Sequence, residues 1–194
     1  MNKTKIYVIS GLSLFVLLSV FILVVNSSHS INNQPQKDNT ISSVWHTQVC
    51  NGITRSNGSY ESLGCSHNLV TNAGLEGIEQ IIGNGANYGT MNYIGLSNAS
   101  AGSLAPAAGD TTLDNEYAAG GLTRAIGTYN SNGNGNWTIS KTFTATLNNL
   151  LINKTGLFNQ SSAGLLFAEN TFTLATLQIN DQITTNWTIW DTSS

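Results

Sequence analysis

The sequence predicts a mostly β domain built as a single β-sandwich, and three observations lead to this prediction. Only 9% of the 194 residues are charged, against roughly 25% in ordinary soluble domains. Asn, Thr, Ser and Gly supply the polarity instead, and these residues favour strands and turns over helices. One segment alternates between polar and apolar side chains with a single exception. Finally, about seven short strand-like segments follow one another with regular turn signals, as in sandwich folds.

The clearest strand pattern runs from Asn136 to Leu147, where threonines and one serine alternate with apolar residues and Lys141 takes one apolar position. Successive strand side chains point to opposite faces, so this pattern indicates one apolar face and one hydroxyl-bearing face. The preceding sequence NSNGNG, residues 130–135, offers left-handed turn positions. Together the two features predict a β-hairpin.

Residues 1–30 have the features of a secretory signal. Lys3 and Lys5 precede an uncharged, mostly apolar run over 6–25, and serines follow it. The run is also long enough to span a bilayer, so a retained anchor is the alternative. In either case we expect the rest of the chain to be extracellular, with no further membrane contact once a signal is cleaved. Five basic residues would then face ten acidic ones, which excludes a nucleic-acid partner.

Cys50 and Cys65 are the only cysteines. An even number in an exported chain predicts a disulfide between them. The alternative is a metal site that adds His46 and His67, but four ligands would crowd one short hairpin and no CxxC spacing is present.

The segment before the first cysteine divides into two parts. Residues 31–39 are polar, contain Pro35 and read as an extended linker. Residues 40–50 are strand-like, because Ile41, Trp45 and Val49 would share one face. The simplest interpretation makes this the first strand of the domain's own sheet.

One helix and further strands complete the prediction. Residues 68–83 carry Leu75, Ile78, Ile81 and Ile82 at helical spacing, with Asn72 as the cap. Within residues 171–179 the apolar side chains change from one face of the strand to the other, which predicts a bulge near residues 175–176. The strands after the helix are expected over 91–97, 122–129, 136–147, 150–158, 165–167, 171–179 and 183–190.

Catalytic signatures are lacking in the sequence, and we predict neither an enzyme nor a cofactor. The acidic sequence GDTTLDNE places Asp110, Asp114 and Glu116 close together. These carboxylates could bind Ca²⁺, but a turn followed by a solvated strand edge is the interpretation that we favour. The four tryptophans could stack on sugar rings, but buried aromatic residues of a sandwich are the alternative that we favour.

N-glycosylation is the modification that the sequence predicts most directly. Asn-x-Ser/Thr sequons require an exposed asparagine in an exported chain. Six of them fall after the leader, at Asn57, Asn98, Asn136, Asn153, Asn159 and Asn186.

Two resemblances extend this interpretation. Residues 155–190, with their GLF and LFA motifs and a final strand that ends in an aromatic residue, resemble the closing strands of certain phage tail and fibre domains. The whole layout is similar to the thread filament subunits of thermoacidophilic archaea: a leader, an N-terminal strand, an Asn/Thr/Ser-rich β-domain of very low charge and many sequons.

The second resemblance implies a single immunoglobulin-like β-sandwich with one short helix and an extended N-terminal donor strand. Residues 31–49 would form the donor tail and residues 50–194 the body. Each tail would enter the sandwich of an identical subunit and build a head-to-tail extracellular filament for adhesion or biofilm formation. The side chains expected to anchor the tail are Ile41, Val44, Trp45 and Val49. The alternatives are a secreted or anchored adhesin or carbohydrate-binding module, and a virus-like fibre protein.

Overall fold

The computed structural model describes residues 44–192, which form two antiparallel sheets of five strands each and one α-helix. The strands are β1 (Val44–Thr54), β2 (Tyr60–His67), β3 (Leu69–Val70), β4 (Tyr93–Ser97), β5 (Ala125–Ile126), β6 (Thr128–Gly133), β7 (Asn136–Thr144), β8 (Leu150–Phe158), β9 (Leu166–Leu177) and β10 (Gln182–Thr192). The helix, α1, spans Asn72–Gly83. The mostly β composition and the single short helix are as the sequence predicts.

The two sheets share one hydrophobic core. The first sheet has the order β2-β1-β10-β7-β6, and the second has the order β3-β9-β8-β4-β5. Apolar side chains from both sheets are buried in one cluster, in which Trp187 is the largest fully buried side chain. The cluster includes Val49, Ile139 and Trp187 from the first sheet and Leu96, Leu157 and Leu177 from the second.

Strand β7 has the two faces that its alternation predicts. Ile139 and Phe143 are buried, and on the opposite face the hydroxyl of Thr142 is hydrogen-bonded to that of Thr184 on β10 at 2.8 Å. The ammonium group of Lys141, which occupies an apolar position in the pattern, lies 6.0 Å from the centre of the Phe143 ring. An aromatic face attracts a cation at this range, so the exception is accommodated without a buried charge.

Several predicted boundaries differ from the structure. The residues between the two cysteines continue β1 and form β2, so 44–67 is a β-hairpin. The segments predicted separately over 165–167 and 171–179 form the single strand β9. The bulge predicted within the second of them is present, but it lies at residues 172–174 opposite Asn153, a few residues earlier than expected.

Helix α1 makes its closest contact with the second sheet through glycine, and Ile78 of its apolar stripe also packs against the core. Thr71, not Asn72, is the N-cap, and its hydroxyl accepts a hydrogen bond from the Gly74 backbone amide at 2.9 Å. Gly74 and Gly77 are the buried helix residues. A Cβ atom at Gly74 would lie only 2.2 Å from the Phe167 carbonyl oxygen, so the close approach depends on glycine.

Substituting Gly74→Ala is therefore expected to lower the free energy of unfolding by about 1–3 kcal/mol, because the new methyl group must displace the β9 backbone. Gly83→Ala is the matched control in the same helix, since a Cβ there meets nothing within 4 Å and alanine is the better helix former. Urea unfolding monitored by circular dichroism measures both. Equal stability of the two variants would contradict this packing.

Candidate functional site

An apolar groove of about 310 Å³ lies between the two sheets beside α1. Its walls come from the helix, from the segment before β4 and from strands of both sheets. The apolar side chains that line it include Ile78, Ile82, Met91, Trp137, Leu157 and Phe167. Because it is open and almost entirely apolar in lining, the groove suits an apolar segment of another chain better than a polar small molecule.

The rim of the groove exposes large apolar side chains. Ile82 is 73% exposed, and Ile81 and Tyr129 are also exposed. This exposure follows from the helix packing described above, which places glycine against the sheet and leaves part of the isoleucine stripe uncovered. A contiguous apolar surface of this kind marks an interaction site in a folded protein.

An edge strand adjoins the groove. Strand β6 is the outer strand of the first sheet and pairs only with β7 among the described strands. All six of its residues are exposed, and Tyr129 on this strand also lines the groove. An edge with unpaired main-chain groups beside an apolar groove is the geometry that accepts an additional strand.

The structure corrects the predicted position of the donor strand. Strand β1 pairs antiparallel with β10 of the same chain, with Val49 opposite Trp187, and Val49 is fully buried in the chain's own core. The backbones of Val44 and Trp45 belong to the same ladder, so the predicted boundary between residues 49 and 50 falls inside β1. The alternation of apolar and polar residues specifies which face of a strand is buried. It does not specify which subunit supplies the neighbouring strand. Ile41 lies outside the described residues.

The disulfide between Cys50 and Cys65 is present and joins β1 to β2. The two cysteines are direct partners in the ladder, with their Cα atoms 4.0 Å apart. The oxidised sulfurs are no longer the thiolates that the alternative metal site needs. His46 instead stacks on Trp190, with ring centres 5.5 Å apart, and His67 approaches the same ring at 6.4 Å.

The six sequon asparagines divide into three groups by burial. Asn57 is exposed, and its Oδ1 accepts a hydrogen bond from the Ser59 hydroxyl at 2.7 Å. Three more are half-buried: Asn98, Asn136 and Asn186. The other two are buried and use both side-chain polar atoms: Asn153 is bonded to the backbone of Ala99, and Asn159 is bonded to Tyr88 and Leu165. A glycan on either nitrogen would break these bonds, so we withdraw Asn153 and Asn159 as expected sites.

Glycopeptide mass spectrometry of protein from its native source is expected to find carbohydrate on Asn57 and on at least one of the three half-buried asparagines. Asn153 and Asn159 are expected to be unmodified and serve as internal controls of the same sequon type. Glycans on the two buried asparagines with none on Asn57 would contradict this assignment.

The three acidic residues considered for Ca²⁺ are not brought together. Asp110 faces Lys154, whereas Glu116 pairs with Arg124, whose Nε donates to Oε1 at 2.7 Å. The Arg124 guanidinium also lies over the Phe158 ring at 3.3 Å. Within residues 44–192, no cluster of three carboxylate, imidazole or thiol side chains suits a metal ion.

A buried ionic cluster joins the second sheet to the loop of residues 98–124, between β4 and β5. Lys154 on β8 is 1% exposed and Glu169 on β9 is fully buried. The Lys154 ammonium lies 2.8 Å from Glu169 Oε2 and 3.8 Å from Asp110 Oδ2. It also donates to the carbonyl oxygen of Ser103 at 3.0 Å, and Glu169 Oε1 accepts from the Ala107 amide at 3.0 Å.

Burial controls the ionisation of this cluster. It raises the pKa of Glu169 to about 7, and a hydrogen bond with Asp110 acts in the same direction. That shared hydrogen bond lowers the pKa of Asp110. Our sequence analysis missed the cluster, although a signal was present: Lys154 and Glu169 are single charges inside the apolar segments LLINKTGLF and LFAENTF.

Comparisons with known proteins give no relative for this chain. No family model matches it, and neither a curated protein nor a solved structure does. In the described part of the chain, no helix has the length and apolar composition needed to cross a bilayer.

Proposed function

We propose that this protein is the N-glycosylated subunit of an extracellular filament, assembled head to tail by strand addition and serving adhesion or biofilm formation. The observation that carries the proposal is the apolar groove beside the exposed edge of β6. In this proposal the two sheets form an immunoglobulin-like sandwich that a strand from a neighbouring subunit completes. The low charge and the sequons of the chain are consistent with such a surface-exposed polymer.

The occupant of the groove in this proposal is residues 31–43 of a second copy, with Ile41 as the apolar anchor. This segment immediately precedes β1 and, at roughly 3.3 Å per residue, its 13 residues can reach about 43 Å. The donor is thus shorter than residues 31–49.

Strand addition by a neighbouring subunit would stabilise the contact between subunits and allow it to repeat along a fibre. Main-chain hydrogen bonds to β6 would cover a sheet edge that is otherwise open to uncontrolled association. Burying Ile41 would contribute about 1.5–3 kcal/mol. The donor and the groove are different surfaces of one molecule, so the contact is heterologous and propagates as a fibre unless it closes into a ring.

Single aspartates on each side of the contact test the proposal. Ile41→Asp in the donor and Ile82→Asp on the groove rim are each expected to abolish filaments while the body stays folded, because each puts a charge into an apolar interface. Negative-stain microscopy and size-exclusion chromatography measure assembly, and circular dichroism checks the fold.

Two matched controls accompany these variants. Ser42→Asp changes the neighbouring donor residue, which points to the opposite strand face. Leu174→Asp places the same charge at a side chain that is 56% exposed and does not line the groove. Both controls are expected to form filaments. Normal filaments from Ile41→Asp or Ile82→Asp would refute strand addition at this groove.

A carbohydrate-binding module has less support. Such a module needs an exposed aromatic platform for sugar rings. Trp187 is fully buried, and Trp137 and Trp190 are half-buried. The exposed aromatic residues Tyr60 and Tyr129 lie on β2 and β6, the opposite edges of the first sheet, so they do not form one platform. Tyr129 lines the apolar groove, which serves the proposed strand contact.

A further inference from the structure

We propose that Lys154 and Asp110 become joined by an isopeptide bond, formed without any other enzyme, with Glu169 as the proton carrier. The bond would tie β8 to the loop of residues 98–124. It is independent of the proposed filament function and rests only on the buried cluster of these three side chains.

The geometry places a buried amine beside a partly exposed carboxyl group. Lys154 Nζ is 3.8 Å from Asp110 Oδ2, within ion-pair range, so the two reacting groups are neighbours before any bond forms. The Ala107 amide holds the Asp110 carboxylate through a hydrogen bond of 3.1 Å to Oδ2. Positioning two reactants in this way replaces a collision between molecules and supplies much of the rate of a condensation.

Glu169 occupies the position of a proton carrier. It lies 2.8 Å from Lys154 Nζ. The Ala107 amide donates to both Glu169 Oε1 and Asp110 Oδ2, so Glu169 is beside both reacting groups. Its Oε2 atom has no aligned hydrogen-bond donor despite that short contact. Burial raises the pKa of Glu169 to about 7, and a carboxyl group with a pKa near neutrality can both donate and accept a proton.

Asp110, rather than Glu169, is the carboxyl group that reacts. Its side chain is 35% exposed, which gives the departing water a route to solvent. Glu169 is fully buried, so water released there would be trapped in the core. Glu169 is also held through Oε1 by the Ala107 amide, which fixes it between the partners.

The condensation balances with no oxidant, reductant or cofactor. The Lys154 ammonium first gives a proton to the Asp110 carboxylate, which leaves a neutral amine beside a neutral acid. The Nζ lone pair attacks Asp110 Cγ and forms the C–N bond. Glu169 delivers its proton to the departing hydroxyl, the C–O bond breaks and water leaves. The resulting Glu169 carboxylate takes the remaining proton from nitrogen, which regenerates the acid.

Such a bond would complete a pair of covalent ties. The disulfide joins two strands of the first sheet, and the isopeptide bond would join the second sheet to its longest connecting loop. A cross-link of this kind restricts the unfolded chain and resists forced unfolding and proteolysis. Unlike the disulfide, it would survive reduction.

A tryptic digest of the full-length chain tests the proposal, after reduction, unfolding and removal of any N-glycans. An acylated Lys154 is not a trypsin site, so the linked protein should yield residues 56–124 joined to residues 142–194. The mass of this species should be lower than the summed masses of its two parts by one water molecule. An ion pair alone would instead release residues 142–154 and 155–194 as separate peptides.

Four variants make the test specific. Lys154→Met and Asp110→Ala are expected to lose the linked species. Lys141→Arg, which changes a lysine outside the cluster but keeps its trypsin site, is expected to keep it. Glu169→Gln preserves the size of the side chain but cannot carry the proton, and it should also lose the link. Separate peptides from the wild-type protein would overturn the proposal. A linked species that persists in Glu169→Gln would overturn the role of Glu169.

Discussion

Replacing Cys50 and Cys65 together by alanine is expected to lower the free energy of unfolding by about 3 kcal/mol. The disulfide closes a chain segment with a sequence separation of 15, and the chain-entropy model gives a loss of this size for such a loop. The bond also ties β1 to β2 at the strand from which the proposed donor segment leaves, so a load on that segment reaches the body through this link.

Guanidinium unfolding of the wild-type and the double-alanine protein measures this effect. Adding a reductant should bring the wild-type midpoint close to that of the variant and should leave the variant unchanged. If the two proteins unfold at the same denaturant concentration, the disulfide contributes nothing to stability and its role here is wrong.

Stability is expected to fall by at most about 3 kcal/mol between pH 4.5 and 8, because of Glu169. Burial raises the pKa of this carboxyl group from 4.5 to about 7 in the folded protein. The folded state therefore binds the proton more tightly than the unfolded state does. The resulting stabilisation of the fold is fully present below pH 4.5 and is lost as the pH rises through 7. The charged groups facing Glu169 are Lys154 on β8 and Asp110 on the loop.

Ionisation of Asp110 affects stability only below this pH range. Its pKa is lowered in the folded protein, so its stabilising contribution is present above pH 3.8 and is lost only as the pH falls below that value. The fall between pH 4.5 and 8 is expected in the protein with or without the isopeptide bond, since Glu169 is buried in both.

Comparison with Glu169→Gln isolates the effect, because the titrating groups outside the cluster are common to both proteins and the lowered pKa of Asp110 lies below this pH range. Denaturant unfolding at pH 4.5 and pH 8 should show the larger decrease in the wild-type protein and a smaller one in the variant. Parallel pH profiles of the two proteins would contradict a raised pKa at Glu169.

The strands that follow simple alternation could be predicted from the sequence. Strand β8 has the predicted bounds, and β7 has its predicted start and buried face. The disulfide follows from an even cysteine count. These features depend on local pattern alone, which the sequence contains in full.

The hairpin of β1 and β2 could not be recognised in this way. Gly52 sits in β1 beneath the side chain of Tyr60, where a Cβ atom would approach the hydroxyl oxygen to 2.2 Å. The glycine that suggests a loop is thus a strand residue covered by an aromatic side chain across the ladder. Such a pair becomes visible only once the register is known.

Elements of the site were missed for a related reason. The stripe of Ile81 and Ile82 predicts a buried helix face, yet these residues are exposed because the small Gly74 and Gly77 allow the closest contact with the sheet. Lys154 stands alone in an apolar strand, and its partner Asp110 is brought to it by a long loop whose path no local pattern specifies. Long-range pairing, rather than propensity, decides both outcomes.

The most direct test of the proposed assembly is a disulfide between donor and groove. In the double variant Ile41→Cys, Ile82→Cys, mild oxidation should give a ladder of covalent oligomers on a non-reducing gel. A mixture of the two single variants should give dimers. Ile126→Cys, at another exposed isoleucine outside the groove, is the control partner for Ile41→Cys and should give few. If the double variant yields only internally linked monomers, or no cross-link at all, residues 31–43 do not enter the groove of a second copy.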